Sequence, residues 1–383
     1  MSRAKSRLAN AALVLISLAV TYLAASFFLF RLALPLLPIN LRPHLPDIAE
    51  VFAQTSKNGA APHDYIALLG DSYAEGQGDG LIDAHGDRAK ALHSAHVLQR
   101  LTGRDVISLG IGGAGSAQAM VRQPTRILRS GCFLYPPLDP PRRILVYFYE
   151  GNDLDENGYV ANVAADGGAV TREKTEQYIA RRYGAPLRWR CFTDLAETMF
   201  NMAHFVATNA ESWETLRKPS AHNKVLAGGE VATPALQKPP VEIATWIDAP
   251  LAVFDLSLGW LRRAFPGAGI TMVYIASPAA LYRHADALVD VYTRWPLNEV
   301  RPVPVSEIYA ASQRTCEQIR ALTLAQGARF IDVRPQLRAA AALGPIHGPQ
   351  DWNHFNEAGY RVLGETLARG IDAAASTPCI DWN

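Results

Sequence analysis

Short apolar runs alternate with amphipathic segments over most of this sequence. The runs contain many β-branched and aromatic residues and lie at 65–69, 106–109, 144–149, 270–275 and 330–333. Helical patterns lie near residues 88–101, 251–265, 306–326 and 357–374. Continuous apolar strands that alternate with helices are typical of a parallel sheet covered by helices on both faces. The pattern therefore predicts an α/β fold around five parallel strands.

A longer apolar stretch lies near the amino terminus. Residues 8–30 are 23 consecutive positions without a charged residue, and about 20 such residues cross a bilayer as a helix. Three basic residues precede the stretch, so the positive-inside rule predicts cytoplasmic residues 1–7 and a periplasmic or extracellular domain. The alternative is a signal peptide cleaved near residues 23–26. A buried soluble helix is disfavoured, because no charged residue interrupts the stretch to mark a face toward solvent.

The remaining residues predict a linker and one domain. Residues 31–60 contain prolines and no clear periodicity, and we interpret them as a tether to a domain at 61–383. Within that domain, residues 154–246 are too long for a simple connection between two strands. We interpret them as an insertion that shapes one side of an active site, and the alternative is a surface elaboration without contact to substrate.

Composition narrows the class of protein. Of 383 residues, 49% are hydrophobic and 19% are charged, which is typical of a folded chain with a buried core. The formal net charge of +1 makes nucleic acid an unexpected partner. The four cysteines, Cys132, Cys191, Cys316 and Cys379, show no spacing that indicates zinc. Outside the cytoplasm they permit two disulfide bonds, and four buried free thiols are the alternative.

Residues with chemical potential follow the first three strands. Ser72 comes after the first strand, in a turn that begins with Gly70. Ligands of an open parallel sheet collect beyond the carboxyl ends of its strands. Gly113 follows the second strand and Asn152 the third. Their main-chain N–H and side-chain amide, with the N–H of Ser72, could stabilise an oxyanion.

A serine hydroxyl needs a base to become a nucleophile, and the candidate lies in the loop before the last helix. Asp351 and His354 are three positions apart, so the carboxylate can accept from Nδ1 of the imidazole and leave Nε2 to take the serine proton. The alternative is a surface histidine beside a helix capped by Asn356 or Glu357.

Together these segments resemble the SGNH (GDSL-like) hydrolase superfamily, over about residues 61–375 without the insertion. The four matching blocks are Gly70-Asp71-Ser72-Tyr73, Ser108-Leu109-Gly110-Ile111-Gly112-Gly113, Gly151-Asn152-Asp153 and Asp351-Trp352-Asn353-His354. Three positions depart from the usual blocks: Tyr73 replaces leucine, Ser108 replaces asparagine and Glu150 replaces glycine.

The resemblance implies a flavodoxin-like three-layer sandwich and esterase or acyl-transfer chemistry. Ser72 would be the nucleophile, His354 the base and Asp351 its partner, with an oxyanion hole from Ser72, Gly113 and Asn152. In a sandwich of this type the helices before and after the last strand can pack near one sheet edge. We therefore expect Cys316 to pair with Cys379 and Cys132 with Cys191, although four cysteines allow three connectivities.

Two competing motifs are weaker. Residues 110–115 spell G-x-G-x-x-G after a strand, but it is the second strand, and no acidic residue ends a strand about 20 positions later. His93 and His96 have no third ligand that the sequence dictates. Neither a dinucleotide nor a metal is therefore expected, and no other cofactor.

The expected function is that of a single-pass plasma-membrane serine esterase or O-acyltransferase. Its expected partners are the membrane, through residues 8–30, and acyl esters of envelope glycans or lipids, with acetyl as the first choice. The alternative is an accessory or scaffold subunit that uses the domain to dock other proteins of a membrane complex.

Overall fold

The structure is a computed structural model of the protein. It describes residues 3–37, 45, 47–84, 93–129, 134–186, 191–208, 223–233, 248–293 and 299–381.

Strands and helices alternate along the described residues. The strands are β1 (Tyr65–Leu69), β2 (Asp105–Ser108), β3 (Arg143–Tyr149), β4 (Val225–Ala227), β5 (Glu230–Ala232), β6 (Gly269–Ile275), β7 (Arg283–His284), β8 (Leu288–Thr293), β9 (Glu299–Pro304) and β10 (Arg329–Asp332). The α-helices are α1 (Arg3–Phe28), α2 (Asp47–Ala53), α3 (Ser72–Glu75), α4 (Asp79–Ile82), α5 (Ser94–Thr102), α6 (Gln123–Leu128), α7 (Asp153–Ala165), α8 (Arg172–Tyr183), α9 (Cys191–Thr208), α10 (Asp248–Ala264), α11 (Pro278–Leu281), α12 (Val305–Ala325), α13 (Arg334–Leu343) and α14 (Glu357–Gly370). Short π-helical segments span Leu29–Ala33 and Gln118–Arg122, and a 3-10 turn spans Leu34–Leu36.

Five strands form one parallel sheet in the order β2-β1-β3-β6-β10. β3 and β6 pair from Arg143 opposite Gly269 to Tyr149 opposite Ile275. This is the strand order of flavodoxin-like folds, whose ligand crevice opens between β1 and β3, where the order reverses. The predicted α/β fold, a flavodoxin-like sandwich around five parallel strands, is confirmed.

Helices cover both faces of the sheet, and the strands pack into a separate core on each side. In β1, Ile66 and Leu68 pack with α5, α13 and α14, whereas Ala67 and Leu69 pack with α2, α10 and α12. Successive side chains of a strand point to opposite faces. Burying one large aliphatic side chain contributes about 1.5–3 kcal/mol, and this two-sided burial explains why the strands are apolar without alternation.

Two smaller β elements lie outside the predicted strands. β5, β4 and β7 form an antiparallel sheet, and β8 pairs with β9 in a hairpin. These strands are short or contain charged residues and prolines, as β9 does with Glu299, Arg301 and Pro302. A search for apolar runs therefore passes over them.

The described part of residues 31–60 differs from the predicted tether. The helical path continues from α1 through Leu36, and α2 packs into the core. Phe30 and Phe52 are fully buried, with ring centroids 6.4 Å apart. The physical reason is the spacing of Ile48, Val51 and Phe52, which places three apolar side chains on one helical face.

The start of the predicted insertion, residues 154–246, packs beside the loop after β2. Val160 of α7 and Ile179 of α8 contact the same small core as Val253 of α10. The main-chain N–H of Ser116 donates to Oδ1 of Asn157 at 2.9 Å. The role of the insertion in substrate binding stays a prediction.

A disulfide bond closes the carboxyl-terminal end of the domain. Cys316 in α12 is bonded to Cys379, which is 63 positions later, as expected. Cys132 lies outside the described residues, and so does the predicted pair of Cys132 with Cys191.

Candidate active site

Ser72 stands at the first position of α3, directly beyond β1. Gly70 makes the turn with φ +150°, and a Cβ there would lie 2.9 Å from the Cβ atoms of Ala74 and Tyr147. Asp71 caps the helix by accepting from the N–H of Tyr73 at 3.0 Å. The glycine and the cap therefore turn the chain sharply and place the serine at the carboxyl edge of the sheet.

A continuous chain of hydrogen bonds joins Ser72, His354 and Asp351. Nε2 of His354 lies 2.8 Å from Oγ of Ser72, and Nδ1 lies 2.6 Å from Oδ2 of Asp351. With a proton on Nδ1, the imidazole donates to the carboxylate and Nε2 accepts from the serine hydroxyl. The structure thus brings together the three residues that the sequence assigns to catalysis, although 282 positions separate Ser72 from His354.

The environment of Asp351 keeps its carboxyl group ionised. Burial raises the pKa of Asp351, but attraction to His354 and hydrogen bonds from His354 and the N–H of Asn353 outweigh burial and hold the pKa below its usual value. A carboxylate beside the imidazole stabilises the cation that forms when His354 takes a proton.

Asp79 holds this loop from α4, and sequence analysis missed it. Its two carboxylate oxygens accept from the N–H groups of Gln350 (3.0 Å) and Asp351 (2.7 Å). At Gly78, a Cβ would lie 2.2 Å from the main-chain oxygen of Phe355, so glycine permits the close approach of the two segments. An acidic residue just after a glycine was the available signal, but nothing local connects Asp79 with residue 351.

Tyr73 and Tyr360 fasten the same region. The hydroxyl of Tyr73 donates to the main-chain oxygen of Asn353, and that of Tyr360 donates to the main-chain oxygen of Gln77, both at 2.7 Å. Burial is the main reason why the pKa of each phenol lies well above its usual value, so both remain neutral donors. Tyr73, which replaces the usual leucine, thereby ties the nucleophile helix to the histidine loop.

The candidate oxyanion donors follow the three adjacent strands β2, β1 and β3. Gly113 has φ +70°, and a Cβ there would meet no atom within 4 Å. Gly110 differs, since a Cβ there would lie 2.2 Å from the N of Glu75. Asn152 is buried, and its amide donates to the main-chain oxygen of Ala114 at 3.3 Å. Gly113 therefore borders open space next to the amide of Asn152, whereas Gly110 packs against α3.

A buried acid supports the turn that carries Asn152. Glu150 occupies the position of the usual glycine, and its carboxylate accepts from the N–H of Ser277 (2.9 Å), the hydroxyl of Ser312 (2.7 Å) and the hydroxyl of Tyr274. A buried carboxylate is tolerated when such donors surround it. These bonds connect the end of β3 with the end of β6 and with α12.

The competing motifs have structural roles. Gly110 of the G-x-G-x-x-G run packs against α3, and Nε2 of His93 is 3.0 Å from the main-chain oxygen of Tyr73. Among the described residues, ligand atoms of Asp332, Cys316 and Cys379 lie within 4.8 Å of one another. The two sulfurs are bonded to each other and Asp332 pairs with Arg334 at 2.9 Å, so this group is not suited to hold a metal.

Comparisons with solved structures find distant similarities to lipases and esterases. The extracellular lipase of Streptomyces rimosus is 14% identical, with 80% of this chain and 99% of that chain covered and a TM-score of 0.40. Phospholipase A1 of Streptomyces albidoflavus is 13% identical, with coverage of 82% and 100% and a TM-score of 0.37. An acetyl-xylooligosaccharide esterase from Geobacillus is 11% identical, with coverage of 83% and 97% and a TM-score of 0.35. A search of curated proteins found no match.

The family is established by a family model rather than by these distant structures. The model described as the GDSL-like lipase/acylhydrolase family matches residues 68–362. This match covers most of the chain, from the end of β1 to α14, and includes Ser72, Asn152 and His354. The chain therefore belongs to the GDSL-like lipase/acylhydrolase family.

Proposed function

We propose that the protein is a serine esterase or O-acyltransferase that works through an acyl-enzyme on Ser72. The observation that carries this proposal is the hydrogen-bond chain from Ser72 Oγ through His354 to Asp351. A serine in such a chain can lose its proton to the imidazole as it attacks an acyl carbon.

The reaction proceeds in two halves. Oγ of Ser72 bonds to the ester carbonyl carbon while its proton moves to Nε2 of His354, and the carbonyl oxygen becomes an oxyanion. The N–H groups of Ser72 and Gly113 and the amide of Asn152 stabilise that oxyanion. The carbon–oxygen ester bond then breaks, and His354 protonates the leaving alkoxide. In the second half, a hydroxyl donates its proton to His354, attacks the acyl-enzyme and releases Ser72.

The molecule whose hydroxyl attacks the acyl-enzyme distinguishes the two activities. Water makes the protein an esterase, and a sugar or lipid hydroxyl makes it an O-acyltransferase. As substrates we propose short acyl esters, acetyl first, of envelope glycans or lipids, on the basis of the family and of the apolar amino-terminal helix. Incubation with p-nitrophenyl acetate and a hydroxylated oligosaccharide distinguishes the two activities. Release of acetate alone indicates hydrolysis, and formation of an acetylated sugar indicates transfer.

A fluorophosphonate probe tests the nucleophile. It should label the wild-type protein and the Ser306→Ala control, in which an exposed serine is replaced. It should not label Ser72→Ala or His354→Ala, because a triad-activated serine attacks phosphorus as it attacks carbon. Undiminished labelling of Ser72→Ala would contradict the proposal.

We also propose that α1 anchors the domain in the membrane with the active site outside the cytoplasm. The helical segment Arg7–Ala33 is long and apolar enough to cross a bilayer, and large side chains such as Leu15 and Val20 are exposed along it. A cleaved signal sequence passes the same test of length and composition. At the carboxyl-terminal end of the segment, Ser26, Phe30 and Leu34 are buried in protein. A helix that packs against the domain in this way is favoured to be retained.

An apolar stripe on α9 lies beside this anchor. Ala196, Met199, Phe200 and Ala203 have the spacing of one helical face and are exposed, Phe200 by 72%. The hydroxyl of Tyr22 donates to the main-chain oxygen of Phe192 at 2.5 Å. About 20 residues cross the hydrocarbon, and the apolar span begins at residue 8 on the proposed cytoplasmic side. The contact made by Tyr22 therefore lies toward the outer side of the membrane. It supports a domain that rests against the bilayer.

Reporter fusions and photocrosslinking test the placement. A reporter active only outside the cytoplasm should be active at the carboxyl terminus and inactive after Arg7. Benzoylphenylalanine should crosslink to lipid in place of Leu18 and of Phe200, but not in place of Leu343, an exposed apolar residue on α13. Lipid adducts at Leu18 without any at Phe200 would retain the anchor and exclude the contact of α9.

The second candidate function is an accessory subunit of a membrane complex. The exposed stripe on α9, with Met199 exposed by 63%, is the observation that favours it, because such a surface can also bind another protein. Purification in mild detergent distinguishes the two functions. Stable co-purifying proteins without esterase activity or probe labelling would favour the accessory role.

A further inference from the structure

A cavity of about 410 Å³ lies at the edge of the main sheet opposite the candidate active site. It is lined by residues at or near the first positions of β1, β2, β3, β6 and β10 and by Ile371, which follows α14. The candidate active site lies beyond the other ends of the strands. Since a strand rises about 3.3 Å per residue, the length of β1 alone separates the cavity from Ser72 by about 16 Å. The cavity is therefore distinct from the catalytic site, and its volume is in the range of small-molecule sites.

Arginines dominate the lining of this cavity. Its lining contains four arginines, Arg104, Arg142, Arg143 and Arg329, and a single acidic residue, Asp64. Arginine is charged at every physiological pH, and its planar guanidinium presents paired donors that match phosphate and carboxylate oxygens. The lining thus has an excess of positive charge with the geometry of an anion site.

Asp372 at the rim does not remove this excess. Its Oδ1 accepts from Arg104 at 3.0 Å and also from Nη1 of Arg143, and its side chain is 57% exposed. One exposed carboxylate shared by two guanidinium groups is screened by water. Asp372 and Asp64 supply two negative charges and the four arginines supply four positive charges. A ligand with two negative charges would neutralise the remainder.

Arg329 forms no direct ion pair with a carboxylate among the described residues. Its guanidinium donates to the main-chain oxygens of Gly370 (2.7 Å) and Ile371 (2.9 Å), and its Nε–H is buried without a hydrogen-bond partner. Burial, and then the charge of Arg143, lower the pKa of Arg329, while Asp372 opposes them. Carbonyl groups at the end of α14 orient this cation, and they leave one donor unsatisfied.

We propose that this cavity binds a small soluble molecule with two or more phosphate or carboxylate groups. Such a ligand would accept from Arg104, Arg142 and Arg143 at the mouth and would compensate the charge of Arg329 inside. The ligand would bind while Ser72 remains free, because the cavity lies at the opposite ends of the strands.

Titration calorimetry of the full chain in detergent tests the proposal, with pyrophosphate and citrate as separate probes. Saturable binding of at least one probe is expected, and it should weaken as salt is added. The Arg104→Gln/Arg142→Gln double variant should bind the probe with an affinity that is lower by about tenfold or more, because charge-assisted hydrogen bonds are lost. Among the described contacts, the side chain of Arg142 makes no hydrogen bond and that of Arg104 donates only to the exposed carboxylate of Asp372, so the fold should be retained.

Arg361→Gln, which replaces an exposed arginine of α14 outside the cavity, is the matched control and should bind like the wild type. Labelling of Ser72 by a fluorophosphonate should be unchanged in both variants, which verifies that they are folded. Absence of saturable binding of both probes to the wild-type protein would overturn the proposal. Equal affinity in the double variant would overturn it as well. A preference for pyrophosphate or for citrate would identify the anionic group.

Discussion

The carboxylate of Asp79 accepts a hydrogen bond from the main-chain N–H of Asp351, 272 positions later in the chain. A second bond, from the N–H of Gln350, makes Asp79 a clamp on the loop that carries His354. The orientation of the imidazole toward Ser72 therefore depends on a residue from the nucleophile side of the site.

Asp79→Ala should lower kcat about 100-fold with little change in KM, because a misplacement of about 1 Å at a reacting group has an effect of that size. Initial rates with p-nitrophenyl acetate measure it. Asp83→Ala is the control, since among the described residues the side chain of Asp83 accepts only from the exposed side chain of Gln350. An equal decrease in kcat in both variants would contradict the proposed role of Asp79 in positioning the loop.

Asn152→Ala should lower kcat by about 10²–10³-fold, the usual cost of losing one oxyanion donor. Labelling by a fluorophosphonate should become slower and should still occur, since Ser72 and His354 are intact. Asn162→Ala is the control, because within the described part of the chain its amide donates only to Gly158 of its own helix. A normal rate in Asn152→Ala would show that the amide does not contact the oxyanion.

Asp153 should make the protein less stable as the pH rises. Burial, and then the charge of Asp71, raise the pKa of Asp153 well above its usual value. The folded state therefore holds a proton that the unfolded state releases above about pH 4, so the free energy of unfolding falls with rising pH until the folded group ionises.

Urea unfolding in detergent at pH 5 and pH 8 measures this dependence. Asp153→Asn retains an acceptor for the N–H of Tyr149 and cannot ionise, so its midpoint should decrease less between the two pH values than that of the wild type. Asp286→Asn, at an exposed position, should follow the wild type. An identical slope in Asp153→Asn would contradict a raised pKa.

The Cys316→Ser/Cys379→Ser variant should lose about 4 kcal/mol of unfolding free energy in the chain-entropy model, since the bond closes a loop of 63 positions. The residues after α14 should also exchange their amide hydrogens faster, because the bond holds them to α12. Denaturant unfolding and hydrogen exchange measure the two effects. A stability unchanged by the double substitution would show that packing alone holds this end of the chain.

Much of the architecture followed from local pattern. Five apolar runs predicted the five parallel strands, because strands buried on both faces are largely apolar and do not alternate with polar residues. The blocks around Ser72 and His354 predicted which side chains meet, since the carboxyl ends of parallel strands share one edge of the sheet. The expected Cys316–Cys379 bond also followed from that topology. All of these features depend on periodicity or on chain order, which the sequence contains.

Only the tertiary structure decided the features that depend on contacts between distant segments. The clamp of Asp79 on Asp351, the bonds of Glu150 to Ser277 and Ser312, and the burial of Phe52 join residues that no local pattern connects. The cluster of Arg104, Arg142, Arg143 and Arg329 is scattered over more than half of the chain, and it becomes one site because parallel strands begin at a common edge. The physical reason is that the free energy of burial and of hydrogen bonding depends on which groups are close in space, which the sequence alone does not contain.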